Sequence, residues 1–407
     1  IYNCTDSETE FYAKRYIRVI DNFESTFGKK ESIALFSAPG RTEIGGNHTD
    51  HQHGCVIAGS VNLDVIAAAA PNGTNVVRIK SEGYPMDIIK LDELEIKEDE
   101  FETAAALIRG IIKKFVDLGY SVGGFDAYTV SNVLKGSGLS SSAAFEVLVG
   151  TVINGLFANG EVDATEIAKF GKFAENIYYN KPSGLMDQMA SSVGSMVFID
   201  FKSTEKPVVE KLEFDLKKHG HALCIIDSGA DHADLTDEYA SIPAEMKEIA
   251  SYFGKKYLRE IDRNEFYDNI HNIRLKINND RAILRAIHFF DENDRAISEM
   301  QAIKNDDFEE FKRLVRESGY SSYMYLQNIF SNNMPKKQAV SLVLALCSEI
   351  LGDRGAYRVH GGGFAGTVQA FVPFDMLDDF KRRIEDVVGK DSCHILSIRP
   401  VGGCELK

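Results

Sequence analysis

Hydrophobic and polar positions along this chain follow two periods, one typical of helices and one of strands. Residues 6–27 place Phe11, Tyr16, Val19 and Phe23 at near-helical spacing, which predicts an opening helix. A second amphipathic helix is predicted in ETAAALIRGIIKKFVDLG, closed by its glycine. Short apolar runs between turn residues predict strands in SIALFSAPG, VNLDVIAAAA, NVVRIKSEG, MDIIKLDEL and GFDAYTVSNVL. We expect the first of these strands to end at its Pro-Gly pair.

A second region is predicted to begin near residue 205. HALCIIDSG reads as a strand, residues 241–353 are mostly helical by pattern, and AYRVHGGGFAGTVQAFVP predicts two strands around a glycine turn. A helix in FDMLDDFKRRIEDVVG and a final strand in HILSIRPVGG follow. Strands and helices come in blocks, which favours an α+β fold with mixed sheets over a doubly wound parallel sheet. The predicted domains are residues 1–205 and 206–407.

Composition narrows the range of partners. A chain of 407 residues is long enough for two domains. Its 46 basic and 61 acidic residues give a formal charge of −15, so neither nucleic acid nor an anionic membrane is an expected partner. The six cysteines are scattered, the first residues lack the apolar core of a signal peptide, and no apolar run reaches the length of a membrane span. We therefore expect a cytoplasmic protein, as a monomer or weak oligomer.

Two glycine-rich loops suggest close approach of the backbone to a ligand. GSGLSSSAA, residues 136–144, opens onto an apolar helix, so its amides and the helix N-terminus could hold a phosphate, and one serine hydroxyl could bind Mg²⁺. A flexible Gly/Ser turn is an equally simple interpretation. HGGGFAG, residues 360–366, is either a site of close backbone approach or a sharp hairpin.

The stretch GRTEIGGNHTDHQHG, residues 40–54, carries three histidines and an aspartate within six positions. As a metal site it offers ligands suited to zinc, which would point to a metal-dependent hydrolase. Alternatively, His48 and Asp50 could hydrogen-bond a polyhydroxylated ligand, or the loop could have no role.

Three further residues make phosphoryl transfer the most coherent interpretation. Arg41 lies in APGR, Asp187 in the turn-helix segment KPSGLMDQMASSVG, and Glu175 in FAENIYYN. A phosphate loop, an arginine, a carboxylate base and a carboxylate for Mg²⁺ are together the parts that a kinase needs.

With these motifs in view, the sequence resembles the galactokinase family of the GHMP sugar and metabolite kinases. GRTEIGGNHTDHQHG is similar to the family signature GRxNxIGEHTDYxxG, GSGLSSSAAFEV to the phosphate loop GGGLSSSASLEV, and RVHGGGFAG to xGGGFGG. AEN…PSGLMDQ resembles AEH…CGIMDQ. The motifs occur in the family's order and span the chain. The resemblance implies the two-domain GHMP architecture, with helices packed on one side of the sheets and the active site in the cleft between domains.

The resemblance also implies roles for individual residues. Asp187 matches the catalytic aspartate and Arg41 its neighbour, while Ser142 and Glu175 match ligands of Mg²⁺. The residues that would hold ATP are Gly136, Ser137, Gly138, Leu139, Ser140, Ser141 and Ser142. The residues that would contact the sugar are Arg41, Asn47, His48, Asp50, Gly184, Asp187 and, on a looser alignment, Tyr239. The implied reaction is transfer of the γ-phosphate of ATP to the anomeric hydroxyl of galactose.

The sequence departs from the family at the sugar loop, which leaves other substrates open. The family glutamate before His48 is Asn47, and the tyrosine after Asp50 is His51. That glutamate contacts the C6 hydroxyl in galactokinases, so its loss would remove repulsion toward a C6 carboxylate. DHQHG also resembles the DHQGG of galacturonate kinases. A hexuronate 1-kinase is therefore the alternative, and a non-catalytic sugar sensor is a second one.

Overall fold

The structure is a computed structural model that describes residues 1–2, 6–134, 138–181, 183–230 and 235–406. Over these residues the chain forms two β-sheets surrounded by helices. The helices are α1 (Asp6–Phe27), α2 (Ala104–Asp117), α3 (Ser141–Phe157), α4 (Ala164–Phe173), α5 (Met186–Val193), α6 (Thr236–Tyr252), α7 (Arg263–Asp268), α8 (Ile270–Ile277), α9 (Asp280–Lys304), α10 (Phe308–Ser321), α11 (Ala339–Leu351) and α12 (Leu377–Val388).

The strands divide between the two sheets. The larger sheet holds β1 (Ala34–Gly45), β2 (Cys55–Pro71), β3 (Val76–Ser81), β4 (Met86–Lys90), β5 (Phe125–Ser131), β6 (Met196–Asp200), β7 (Val208–Leu212) and β12 (Cys404–Leu406). The smaller sheet holds β8 (His221–Asp227), β9 (Ala356–His360), β10 (Thr367–Pro373) and β11 (Cys393–Leu396).

The larger sheet is mixed and is built around the long strand β2. Its main order is β12-β1-β2-β5-β3-β4; β6 pairs with the first part of β2, and β7 with β6. All of these pairs are antiparallel except β3 with β5, which run parallel. β2 is buried along almost its whole length because α3 packs on one face of the sheet and α1 on the other. This explains the apolar run of residues 65–70 in its second half.

The smaller sheet is antiparallel, in the order β11-β8-β10-β9. Helices α11 and α12 pack on one face through a core that includes Val343, Cys347 and Phe380. The hairpin of β9 and β10 ends in the HGGGFAG turn, which lies next to β1 of the larger sheet: Arg358 donates from Nη1 to the carbonyl of Ile44 at 2.8 Å. The two sheets therefore meet where the signature loop begins.

Much of the predicted secondary structure is confirmed. The α+β fold, the opening helix, the helical block after residue 241 and the β9–β10 hairpin are all present. Asp163 caps α4 by accepting a hydrogen bond from the amide of Glu166 at 2.9 Å. The predicted boundary near residue 205 stays a prediction; β7 and β12, which follow it, belong to the larger sheet.

The predicted end of the first strand is wrong. β1 continues through Pro39-Gly40 to Gly45. The pairing of β1 with β2 shifts register between Pro39 and Arg41, and a proline without an amide proton is tolerated at such an irregularity. The continuation matters because it keeps Arg41 on a strand rather than on a loop.

A search for membrane-spanning helices, confined to the part of the chain that the structure describes, finds none that is long and apolar enough.

Candidate active site

A polar cleft of about 220 Å³ lies where β1, the start of α5 and the β9–β10 turn converge. Its wall carries four carboxylates and two permanent cations, a density of charge that is typical of functional sites. The lining residues are Arg41, Glu43, His48, Asp50, His51, Glu175, Lys181, Ser183, Gly184, Met186, Asp187, Gln188, Gly361 and Gly362. Six of the predicted site residues therefore lie around one cleft: Arg41, His48, Asp50, Glu175, Gly184 and Asp187.

Arg41 joins the candidate base to the phosphate loop. Its Nε donates to Oδ1 of Asp187 at 2.7 Å, and its Nη1 donates to the carbonyl of Gly138. Its own amide donates to the carbonyl of Leu139 at 3.0 Å. Because the side chain is buried and held at both ends, it fixes the distance between the carboxylate and the loop.

Asp187 lies in the first turn of α5, with about a third of its side chain, 34%, exposed to the cleft. Oδ2 accepts a hydrogen bond from the hydroxyl of Ser140. Burial raises the pKa of Asp187, but Arg41, Ser140 and Lys181 oppose this and leave the pKa below its ordinary value. The carboxylate is therefore ionised at neutral pH and ready to accept a proton.

The phosphate loop turns sharply into α3. Gly138 has φ +71°, and a Cβ there would lie 3.2 Å from Nδ1 of His360, so this position favours glycine. Ser140 is left-handed at φ 52°, and α3 begins at Ser141 with Ser142 exposed in its first turn. Leu139 is buried under the loop. Gly136 and Ser137, also predicted to bind ATP, lie outside the described residues.

Glu175 sits on a π-helical turn after α4, with its carboxylate on the cleft wall. Oε1 accepts from Nζ of Lys181 at 2.9 Å, and Oε2 accepts from Nε2 of Gln188 at 2.8 Å. A lysine ammonium thus already lies on this carboxylate. Hard oxygen donors at Glu175 and at the exposed hydroxyl of Ser142 are of the kind that suits Mg²⁺, so the residues present fit the predicted ion.

The predicted sugar loop contributes His48 and Asp50. Nε2 of His48 contacts the carbonyl of Gly362 at 3.0 Å, so this nitrogen carries the proton. Burial lowers the pKa of His48 to about 4, with help from nearby His51. Asp50 faces Gly184 closely enough that a Cβ at residue 184 would lie 2.7 Å from Oδ2. The wall here is therefore a neutral imidazole next to a carboxylate and bare backbone.

Tyr239, on α6, stands behind this wall. Its hydroxyl donates to the carbonyl of Gly363 at 2.8 Å, and its ring packs edge-on against Phe364. A Cβ at Gly362 would lie 2.6 Å from the ring. Tyr239 supports the glycine turn and is not among the residues that line the cleft.

Asn47 is placed differently from its predicted role. It is fully buried, and its Nδ2 donates to Oε1 of Glu43 at 2.9 Å and to the carbonyl of Gly361 at 2.8 Å. Its Oδ1 accepts from Asn328 at 3.0 Å and from Ser322 at 3.3 Å. All four hydrogen-bonding positions of the amide are thus used inside the protein.

His48 and His53, two of the three histidines of the signature loop, point to separate partners. His48 contacts Gly362, whereas the ring of His53 stacks on Tyr257 at 3.6 Å between centroids. His48 and His53 both have positive φ, at 59° and 62°. Among the residues that the structure describes, no group of three or more His, Cys, Asp or Glu side chains is placed to hold a metal ion, so the sequence spacing that suggested zinc is not matched by a metal site.

Two charged residues of the cleft were missed by sequence reasoning. Glu43 follows Arg41 by two positions on β1, and the period-2 alternation of a strand places both side chains on the same face. That signal was available once the strand was known to continue. Lys181 had no comparable signal, because it lies in a turn and meets Glu175 through the local path of the chain.

Comparison with known families matches the N-terminal half. Residues 21–71 match the family described as "Galactokinase galactose-binding signature". Residues 106–195 match "GHMP kinases N terminal domain". The first range contains the His48 loop, and the second contains the phosphate loop and Asp187.

Whole-chain comparisons agree. A galactokinase of Glaesserella parasuis serovar 5 is 30% identical over 89% of this chain and 91% of its own length. A galactokinase of Actinobacillus pleuropneumoniae is 30% identical over 86% of this chain and 88% of its own length. The crystal structure of Lactococcus lactis galactokinase complexed with galactose superposes with a TM-score of 0.81, at 25% identity, over 96% of this chain and 100% of that chain. This chain belongs to the galactokinase family of the GHMP kinases, and it is a phosphotransferase that acts on a sugar hydroxyl.

Proposed function

We propose that this protein is a galactokinase, which transfers the γ-phosphoryl group of ATP to the anomeric hydroxyl of galactose. The observation that carries the proposal is the contact of Arg41 with both Asp187 and the carbonyl of Gly138. The side chain of Arg41 thereby holds a candidate base and a candidate phosphate loop together. It lines the same cleft as His48 and Asp50.

Asp187 takes the role of general base. A sugar hydroxyl is a weak nucleophile, and an ionised carboxylate within hydrogen-bond reach accepts its proton as the oxygen attacks phosphorus. Arg41 keeps the carboxylate ionised by lowering its pKa. The same guanidinium stabilises negative charge on the group in transfer.

The loop from Gly138 to Ser142 takes the phosphates. Its glycine leaves room for close approach, and the free amides and positive dipole end at the N-terminus of α3 suit an anion. Ser142 and Glu175 would hold Mg²⁺, which when bound supplies charge neutralisation on the phosphates. Lys181, now paired with Glu175, is free to turn toward the phosphates once that carboxylate has another cation, because its side chain is 58% exposed.

The sugar wall favours a neutral polyol. Asp50 accepts hydrogen bonds, and His48 accepts through Nδ1 because its Nε2 proton is committed to Gly362. The basis for a hexuronate substrate was the loss of a negative charge at position 47. With Asn47 buried and the carboxylate of Glu43 on the cleft wall, that basis is weak. The sensor alternative has nothing specific in its favour, since Arg41, Ser140 and Asp187 form a complete base assembly. Cytoplasmic location stays a prediction from the cysteine pattern.

The test is ADP release with Mg-ATP against galactose, N-acetylgalactosamine, glucose, galacturonate and glucuronate. We expect galactose to give the highest kcat/KM, with a product whose phosphorus NMR signal is coupled to an anomeric proton. If galacturonate gives the highest kcat/KM, the assigned substrate changes from galactose to galacturonate, and the kinase chemistry stands. If the protein binds ATP and galactose without turnover, the assigned function changes from an enzyme to a sugar sensor.

A further inference from the structure

Positions 43 and 47 carry an exchanged pair of residues. The family signature has asparagine and glutamate at these positions, whereas this chain has Glu43 and Asn47. The two side chains touch, with Nδ2 of Asn47 donating to Oε1 of Glu43 at 2.9 Å. The carboxylate is therefore not lost from this corner of the cleft; it is attached to β1 instead of to the signature loop.

Glu43 is held by one of its oxygens. Oε1 accepts from Asn47 and from Nη2 of Arg358, and the Arg358 guanidinium is itself fully buried. The carboxylate is thus paired with a buried cation and cannot turn away without breaking that ion pair in the interior.

The other oxygen is unused. Oε2 of Glu43 makes no hydrogen bond with any residue that the structure describes, although the residue is only 5% exposed and lines the cleft. A nearly buried carboxylate oxygen is strongly favoured to find a donor. Glu43 lines the cleft, so this oxygen is left to accept from water or from a hydroxyl of a bound ligand.

Spacing along β1 shows which part of a ligand would supply the donor. Arg41 and Glu43 lie on the same face of the strand, two residues or about 7 Å apart. Arg41 holds Asp187 and so marks the reacting hydroxyl. The hydroxyls at C4 and at C6 of a hexopyranose both lie within this reach of the anomeric oxygen. Of the two, the C6 hydroxyl is the one that the displaced glutamate of the family signature would contact.

We propose that Glu43, not residue 47, is the specificity-determining residue of this enzyme, and that its free carboxylate oxygen accepts a hydrogen bond from the C6 hydroxyl of the sugar. This inference rests on the proposed function. A C6 carboxylate offers no proton to this oxygen and would meet a like charge, whereas a 6-deoxy sugar would leave the oxygen unpaired.

The test combines changes in the protein with changes in the substrate. The unmodified enzyme should show a kcat/KM for galactose roughly 10- to 100-fold above that for 6-deoxygalactose, the range expected for a hydrogen bond to a charged group. Glu43→Gln should shrink this ratio by about tenfold, mainly through galactose. The ratio of galactose to 2-deoxygalactose serves as the control and should not change with Glu43→Gln, because that hydroxyl lies beside the reacting end.

Because Glu43→Gln removes the ion pair of Arg358 with residue 43, Glu43→Asp provides a second variant. It keeps the charge but withdraws the oxygen by one methylene, and it should lose the same discrimination while retaining the thermal unfolding midpoint more closely. If kcat/KM falls equally for galactose and for 6-deoxygalactose in both variants, the inference is overturned and Glu43 has a purely structural role. So would an unmodified enzyme that does not distinguish the two sugars, or that prefers galacturonate.

Failure of the proposed function would be recognised separately. If the unmodified protein phosphorylates none of the sugars, calorimetric titration with galactose and 6-deoxygalactose still measures whether Oε2 of Glu43 discriminates them. Tighter binding of galactose that is lost in Glu43→Asp would support the inference without catalysis. Equal binding of both sugars would overturn it.

Discussion

The guanidinium of Arg41 donates to Asp187 at 2.7 Å and at the same time to the carbonyl of Gly138, so one side chain spans the candidate base and the phosphate loop. Neither partner is near Arg41 in sequence. The consequence is that the carboxylate that accepts a proton and the loop that holds phosphate move as one body, which is the positioning that phosphoryl transfer requires.

The first prediction concerns Asp187→Asn. An amide cannot accept the hydroxyl proton as a base, so kcat should fall by about 10²- to 10⁴-fold, while ATP affinity changes little. Steady-state kinetics with galactose and a calorimetric titration with ATP provide the two measurements. Activity comparable with that of the unmodified enzyme would remove Asp187 from the role of base.

Ser140→Ala tests how the loop tunes the base. The hydroxyl of Ser140 stabilises the charged form of Asp187 and helps to hold its pKa below the ordinary value. Without it the pKa rises, so the carboxylate protonates at a higher pH. The acidic limb of the kcat/KM profile should therefore move upward in pH.

Ser141→Ala is the matched control for that measurement, because the structure shows no hydrogen bond from Ser141 to Asp187 among the residues it describes. The acidic limb of the kcat/KM profile of Ser141→Ala should stay at the same pH even if the KM of this variant for ATP changes. A Ser140→Ala enzyme whose limb also stays in place would mean that Ser140 serves the phosphates alone.

Lys181→Met should strengthen metal binding. Nζ of Lys181 lies 2.9 Å from Oε1 of Glu175 and competes with a divalent ion for that carboxylate. Removing this partly exposed charge should lower the dissociation constant for Mn²⁺, measured by electron paramagnetic resonance without substrate, by roughly two- to fivefold. Lys169→Met, which removes a similar ion pair with Glu166 on α4, is the control. Unchanged Mn²⁺ affinity in Lys181→Met would argue against Glu175 as a metal ligand.

The fourth prediction concerns stability and the buried carboxyl of Glu299. Neither of its side-chain oxygens has a hydrogen-bond partner among the described residues. Burial, with Glu292 nearby, raises the pKa of Glu299 from 4.5 to about 8. The unfolded chain releases this proton near pH 4.5, whereas the folded chain retains it to about pH 8. The stability that Glu299 contributes is therefore full below pH 4.5 and is lost as pH rises to about 8, by up to about 1.4 kcal/mol per pH unit.

Glu299→Gln removes this dependence, so the variant should gain stability relative to the unmodified protein between pH 5.5 and 7.5. Urea unfolding at the two pH values measures the gain, and Glu405→Gln on the exposed edge strand β12 is the control. A constant difference between Glu299→Gln and the unmodified protein would show that Glu299 is already ionised when the protein is folded.

The sequence by itself determined most of the secondary structure and the residue types that carry the chemistry. Helical and strand periods predicted α1, α2 and the β9–β10 hairpin because backbone hydrogen bonding and one buried face impose them locally. Arg41, Asp187, His48, Asp50 and Glu175 were predicted because each lies in a short motif whose residue types suit phosphoryl transfer or sugar binding.

Tertiary structure decided which of these residues face the ligand. The sequence could not show which of Asn47 and Glu43 faces the cleft, because the choice depends on Arg358 and Asn328, which lie more than 280 positions further along the chain. Burial of Asn47 in that junction uses up its amide, and the leftover carboxylate oxygen of Glu43 remains at the cleft. Long-range packing sets the environment of each polar atom, and that environment determines whether the atom binds the protein or the substrate.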